Sequence, residues 1–301
     1  MSKRVELENL VALRSEEGSW RALARAITLV ENAPPSEVDI PPPSRLVHSI
    51  GFTGPPGSGK STLVGQLIEA YANSGRRVGV VAIDPSSPTS GGALLGDRLR
   101  MERQLQREGV FVRSLASRGS LGGLAASARN VVRLLEASAA FDVVIVETVG
   151  AGQTEIAIAN LADTVVLVTV PGLGDAVQVI KAGLCEVADL VVVNMADRPG
   201  AAETMRHFRL SLGREVPVLK TIATDGTGVA GLLGALDECW TALSEGDGLS
   251  ERRRKKELAD AALIAMEWVR VCAANGRSGS AKSVRQAVGA ILKEAAKRWH
   301  E

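Results

Sequence analysis

Gly54-Pro-Pro-Gly-Ser-Gly-Lys60-Ser61 is the stretch from which the rest of the chain is read. It follows the apolar run His48-Ser-Ile-Gly-Phe-Thr53 and leads into Ser61-Thr-Leu-Val-Gly-Gln-Leu-Ile-Glu-Ala-Tyr71, so a strand, a glycine-rich turn and a helix come in direct succession. The spacing GxxxxGK[ST] in that setting is the pattern of a phosphate-binding loop. Gly54, Gly57 and Gly59 let backbone N–H groups turn toward a β-phosphate, and the helix N-terminus adds its partial positive charge. Lys60 supplies a cation for β- and γ-phosphate oxygens, and the Ser61 hydroxyl is a ligand for Mg²⁺. Ser58 and Thr62 complete the expected nucleotide-contacting set of this loop.

Outward from the loop, short β-branched runs alternate with helical stretches from Arg45 to about Ser244. The runs are LVHSIGFTG, RVGVVAID, VFVRSL, FDVVIVETVG, TVVLVTVPG, LVVVNMAD and PVLKTIA. This alternation predicts an α/β fold, a P-loop NTPase with a mostly parallel sheet covered on both faces, in which runs such as VVIV and VVLV are buried on both sides. Before it, apolar residues at three- and four-residue intervals between Val5 and Val30 predict two amphipathic helices interrupted near Gly18. Prolines 34, 35, 41, 42 and 43 then mark a stiff linker. After it, the charge run Arg252 to Lys256 reads as a solvated helix face, and the apolar positions from Leu258 to Trp299 predict a helical arm broken at NGRSGS. The expected organisation is an N-terminal helical extension with linker (1–44), a nucleotide-binding domain (45–245) and a C-terminal helical arm (246–301).

Two further segments narrow the chemistry. Val143-Val-Ile-Val-Glu147-Thr-Val-Gly150 is an apolar strand ending in an acid and then a glycine, suited to a metal-side carboxylate at Glu147 and a backbone N–H of Gly150 facing a γ-phosphate. Leu190-Val-Val-Val-Asn194-Met195-Ala196-Asp197 occupies the place of the guanine-reading NKxD signature. Asp197 can accept hydrogen bonds from guanine N1–H and the N2 amino group, a pattern adenine lacks, while Asn194 braces the pocket and contacts the base edge. Met195 stands where that signature has lysine, keeping an apolar stem and losing the ammonium. Thr221-Ile222-Ala223 stands where a Ser-Ala loop supports guanine O6; Ala223 fits and Ile222 departs.

Bulk composition excludes other classes. With 35 Lys plus Arg against 34 Asp plus Glu in 301 residues, there is no single-sign field for nucleic acid or an anionic membrane. Cys185, Cys239 and Cys272 lie far apart, so neither a disulfide framework nor a zinc site is expected and a reducing cytoplasm fits. His48, His207 and His300 have no ligand spacing. The charged N-terminus carries no signal core, and the apolar runs are too short to span a bilayer.

Four longer stretches then resemble one family: Asp84-Pro-Ser-Ser-Pro-Thr-Ser-Gly-Gly-Ala-Leu-Leu-Gly-Asp97-Arg98, Ser117-Arg-Gly-Ser-Leu-Gly-Gly123, Glu147-Thr-Val-Gly-Ala-Gly-Gln153, and Pro171-Gly-Leu-Gly-Asp175 with Gln178 and Lys181. They are similar to the methylmalonyl-CoA mutase-associated G-protein chaperones of MeaB/ArgK type, over roughly residues 5 to 270. The resemblance implies a homodimer acting on an adenosylcobalamin-dependent acyl-CoA mutase, with a cobalamin adenosyltransferase as a second candidate partner. It also implies GTP/GDP and Mg²⁺ as ligands, with Asp84, Asp97 and Glu147 at acidic metal-site positions beside Ser61. It places Gln178 and Lys181 in a switch segment that relays nucleotide state; from the residues alone they read equally as polar positions on a helix.

The expected reaction is GTP hydrolysis to GDP and phosphate, with loop amides, Lys60 and Mg²⁺ stabilising transferred charge. Ala151 follows Gly150 where Ras-like proteins carry a water-positioning Gln, so turnover is expected to be slow alone and raised by a partner, with Gln153 or Lys181 completing the site. Three alternatives stay open at this point: a nickel-insertion GTPase, disfavoured by the lack of a Cys or His cluster; an ATP-dependent kinase, disfavoured by Asp197; and a non-catalytic nucleotide-binding module.

Overall fold

The computed structural model describes residues 20–33, 38, 40–84, 107–116, 121–148, 158–172, 184–212, 216–274 and 288–289. Seven strands form one sheet: β1 (His48–Thr53), β2 (Val78–Asp84), β3 (Val110–Ala116), β4 (Val143–Thr148), β5 (Thr164–Thr169), β6 (Leu190–Val193) and β7 (Val218–Lys220). Their order is β3-β2-β4-β1-β5-β6-β7, and every neighbouring pair is parallel. Six fall within the β-branched runs of the sequence and β3 extends one residue past VFVRSL, so the α/β architecture follows directly from where the apolar runs lie.

Alternation along each strand assigns its residues to two covered faces. Ile145 of β4 joins Val166 and Val168 of β5 in a cluster with Leu63, Leu67 and Tyr71, which belong to α2 (Lys60–Asn73). Leu232 and Leu236 of α6 (Val229–Ser244) close the same cluster. Val144 and Val146 face the other way, onto α1 (Trp20–Asn32) and α3 (Leu121–Ala137) through Leu23, Ile27, Val131 and Leu135. Leu167, Val191 and Val193 pack on Phe208 of α5 (Ala201–Leu212), which follows the short helix α4 (Leu184–Val187). Each fully buried Val, Leu, Ile or Phe contributes about 1.5–3 kcal/mol relative to exposure, and burial on both faces is why these strands read as continuous apolar runs.

Helix α1 is the second of the two expected N-terminal helices, while residues 1–19 lie outside the described part. It presents Leu23, Ala26, Ile27 and Val30 to the core. Trp20 at its start stacks on Phe111 and Phe141, with ring centroids 5.3 and 5.5 Å apart.

The chain divides into two compact units, Met1–Arg253 and Arg254–Glu301, with the division inside α7 (Gly248–Ala274). The expected solvated face at Arg252–Lys256 therefore needs correction at its first two residues. Arg252 makes a bidentate pair with Asp189, both contacts 2.8 Å, and also donates to the Asp163 carbonyl. Arg253 pairs with the buried Asp163 carboxylate at 2.7 Å and donates to the Val47 carbonyl at 2.9 Å. Both arginines thus reach the residues that precede β1, β5 and β6. Periodicity missed them because a guanidinium can be half-buried wherever carboxylates and carbonyls meet it. Among the described residues no helix is long and apolar enough to cross a membrane.

The sheet also fixes where a ligand can sit. From β1 the chain builds β2, β3 and β4 on one side and then β5, β6 and β7 on the other, so the strand order reverses at β1. In open parallel sheets the crevice outside the carboxyl ends at such a reversal receives the ligand.

Candidate nucleotide site

The Gly54–Lys60 loop leaves the carboxyl end of β1 at that reversal and closes on the first turn of α2. Gly54 has φ 139°, and a Cβ there would collide with the Val168 carbonyl, so only glycine lets the loop pass this close to β5. Gly59 is the N-cap of α2 in the left-handed region, with no side-chain cap. The N–H groups that open the helix are therefore not capped by a side chain of this position, as an anion-binding turn requires. Ser58 is buried and Thr62 is exposed on the first helical turn, while the space beside Gly57 is open.

Lys60 is only 6% exposed, and its ammonium donates to the carbonyls of Gly54 at 2.6 Å and Pro55 at 3.0 Å. The carbonyl dipoles hold the cation against its own loop. Glu147, in β4 and in register with Phe52 of β1 and Ala82 of β2, is 1% exposed. It accepts a 2.6 Å hydrogen bond from the Ser61 hydroxyl. Two hard oxygen donors, one of them an acid, so lie side by side at the start of α2, a donor set that fits Mg²⁺.

The second half of the site is organised by Asn194, which directly follows β6 and is 1% exposed. Its Nδ2 donates to the Ser58 carbonyl at 2.9 Å. Its Oδ1 accepts from Thr221 Oγ1 and from the Ala223 backbone N–H, each at 3.1 Å. One amide thereby ties the phosphate loop to the β7–α6 loop. Met195 takes the left-handed conformation at φ 54°, and the Ala196 N–H donates to the Thr221 carbonyl at 3.0 Å. Asp197 sits exposed on the turn that follows.

A family described as methylmalonyl-CoA mutase-associated GTPase MeaB has a model that matches residues 23–277. The chain belongs to the MeaB family. A Pyrococcus horikoshii protein bearing a GTPase name is 48% identical over 257 residues, covering 81% of each chain. Escherichia coli GTPase ArgK is 36% identical over 278 residues, covering 85% of this chain and 81% of its own. A crystal structure of an LAO/AO transport system kinase aligns with TM-score 0.67 at 25% identity, over 99% of this chain and 98% of that one.

For this MeaB-family GTPase the described residues bring together Gly54, Gly57, Ser58, Gly59, Lys60, Ser61, Thr62, Glu147, Asn194 and Ala223 around the carboxyl ends of β1, β4 and β6. The backbone of Asp84 ends β2 beside Ala116 of β3. Asp97, Gly150, Gln153, Gln178 and Lys181 lie outside the described residues. Two roles were missed by sequence reasoning: Thr221 and the Ser58 carbonyl as anchors of the Asn194 amide. The signal for Thr221 was a hydroxyl residue directly after a strand and before Ile222-Ala223, which proposes a buried donor but names no acceptor.

Proposed function

We propose that this chain is a Mg²⁺-dependent GTPase that serves as chaperone to an adenosylcobalamin-dependent acyl-CoA mutase in a reducing cytoplasm, gating cofactor loading and protecting or reactivating the mutase. Membership of a family described as mutase-associated supports the client. The observation that carries the nucleotide reading is the Asn194 amide, which joins the phosphate loop to the loop beside Asp197 and so sets a phosphate end and a base end on one frame.

In this reading the α2 N-terminus and the loop amides bind the phosphates, and Lys60 swings from the Gly54 and Pro55 carbonyls to the β- and γ-oxygens. Ser61 and Glu147, with Asp84 and Asp97, would hold Mg²⁺, which would supply positive charge against the transferred phosphoryl group. Asp197 reads the guanine edge, and the Gly150 N–H faces the γ-phosphate. Gln153 or Lys181 positions the attacking water once the mutase is bound, so turnover is slow alone and accelerated by the partner. Loss of the γ-phosphate then releases the loops that the mutase senses. The working form is a homodimer, and a cobalamin adenosyltransferase is a second partner.

The test measures GTP and ATP turnover with Mg²⁺, with and without a methylmalonyl-CoA mutase, using Lys60→Ala as control. GTP-selective turnover that the mutase raises and Lys60→Ala abolishes supports the whole reading. Turnover indifferent to the mutase removes the client and keeps the GTPase, whereas equal use of ATP removes the guanine reading.

A further inference from the structure

We infer that Met195 is the contact that sets how long guanine nucleotide stays bound, releasing it faster than a lysine at this place would; the inference rests on the nucleotide reading above. Three observations carry it. The first is conformational: Met195 holds φ 54°, a left-handed backbone that is unfavourable for a long side chain and persists only where the surroundings enforce it. They do so here, because Asn194 N–H donates to the Thr169 carbonyl at 2.8 Å, Ala196 N–H to the Thr221 carbonyl at 3.0 Å, and Arg198 N–H to the Met195 carbonyl at 3.0 Å.

The second is where this conformation sends the side chain. The Met195 terminal methyl lies 3.6 Å from the point where a Cβ on Gly59 would stand, so the thioether arches over the last glycine of the phosphate loop. The residue is half-buried and stands two positions before the exposed Asp197. A flat purine held at Asp197 would meet this polarizable stem as an apolar support from the same turn.

The third is chemical. At this place the usual signature has a lysine stem ending in an ammonium, which can donate to loop carbonyls or to the bound nucleoside. A thioether offers the stem and no N–H. The Ser58 carbonyl receives the Asn194 amide, and Met195 itself brings no donor to the loop it arches over.

The experiment follows dissociation of fluorescent GDP from the full chain by stopped flow for the parent, Met195→Lys and Met195→Ala, all at one Mg²⁺ concentration. Restoring a charged donor is expected to slow release roughly tenfold. Removing the stem is expected to speed it several-fold. Both variants meet the same backbone demand as Met, and a circular-dichroism melt of each checks folding. Release rates in both variants equal to the parent's would overturn the inference while leaving the guanine site in place. Failure of the parent itself to bind GDP while ADP binds would instead take down the guanine reading, and this inference with it.

Discussion

Asn194 satisfies three buried groups with one side chain, so its replacement is costly in a way that replacement of an exposed acid is not. Asn194→Ala leaves the Ser58 carbonyl, the Thr221 hydroxyl and the Ala223 N–H without their partner, and is expected to cost about 2–4 kcal/mol in urea unfolding. Asn194→Asp keeps an acceptor for Thr221 and Ala223 but sets a carboxylate oxygen against the Ser58 carbonyl, so it too is expected to destabilise. If both variants unfold with the parent's midpoint, the bridge is not what holds the two loops. His48 offers a second test at this scale. It is 3% exposed, lies 2.8 Å from Thr164 Oγ1 and stacks on Trp240 at 4.7 Å. Burial pushes its pKa from 6.5 down to about 4, with Asp163 and Asp237 opposing and Arg253 and Arg76 assisting. The native state then resists a proton that the unfolded chain accepts. The stability it contributes is present above pH 6.5 and is lost as pH falls from 6.5 toward 4, by up to about 3 kcal/mol. A parent chain that weakens through this window beside a His48→Phe variant that does not is the expected outcome in denaturant melts at stepped pH. Asp142 titrates in a separate, lower window: burial raises its pKa, but hydrogen bonds from Arg77 and Arg45 outweigh this and bring it from 3.8 to about 2.

At the scale of elements, the two consecutive arginines of α7 should differ in effect. Arg253 meets Asp163, whose side chain is 1% exposed, whereas Arg252 meets Asp189, whose side chain is 23% exposed. Arg253→Ala withdraws the guanidinium from a buried carboxylate and is expected to cost about 3–5 kcal/mol. Arg252→Ala leaves a charge that water can reach, and the smaller loss is expected. Urea midpoints of the two variants decide this, and equal losses would show that the two contacts work as one unit. The same elements explain what the sequence could disclose. The central strands were readable because a strand buried on both faces must be apolar throughout, as in VVIV and VVLV, the edge strands β3 and β7 from shorter β-branched runs, and the phosphate loop because its glycines are demanded by backbone geometry. The strand order was not readable, since apolar runs do not say which neighbour they pair with. The arginine root was hidden because its carboxylates lie 63 and 90 positions away in the chain. In the site, Asn194, Glu147 and Ser61 were legible as residue types after strands and before a helix, while their direct partners, such as Ser61 with Glu147, depend on the parallel register of β1 and β4.

At the scale of the molecule, the candidate nucleotide site is assembled from segments far apart in the chain: the β1–α2 loop, the carboxyl end of β4, the turn after β6 and the β7–α6 loop. None of these persists in that arrangement once the sheet opens, so a ligand spanning them binds the native state alone and stabilises it by mass action. At a hundredfold excess over its dissociation constant, GDP is expected to add about 2.7 kcal/mol. For a unit of this size that corresponds to a rise of about 5–10 °C in the melting transition. On the proposed reading, in which Asp197 takes the N1–H and N2 amino group of guanine, ADP at the same concentration is expected to give a much smaller rise. Lys60→Ala should reduce the GDP effect by withdrawing the cation now held by the Gly54 and Pro55 carbonyls. A thermal melt with each nucleotide reads all three arms at once. Equal shifts with GDP and ADP would remove Asp197 as a base reader and leave the phosphate loop intact, whereas a GDP shift undiminished in Lys60→Ala would mean that the helix N-terminus and loop amides hold the phosphates without the lysine.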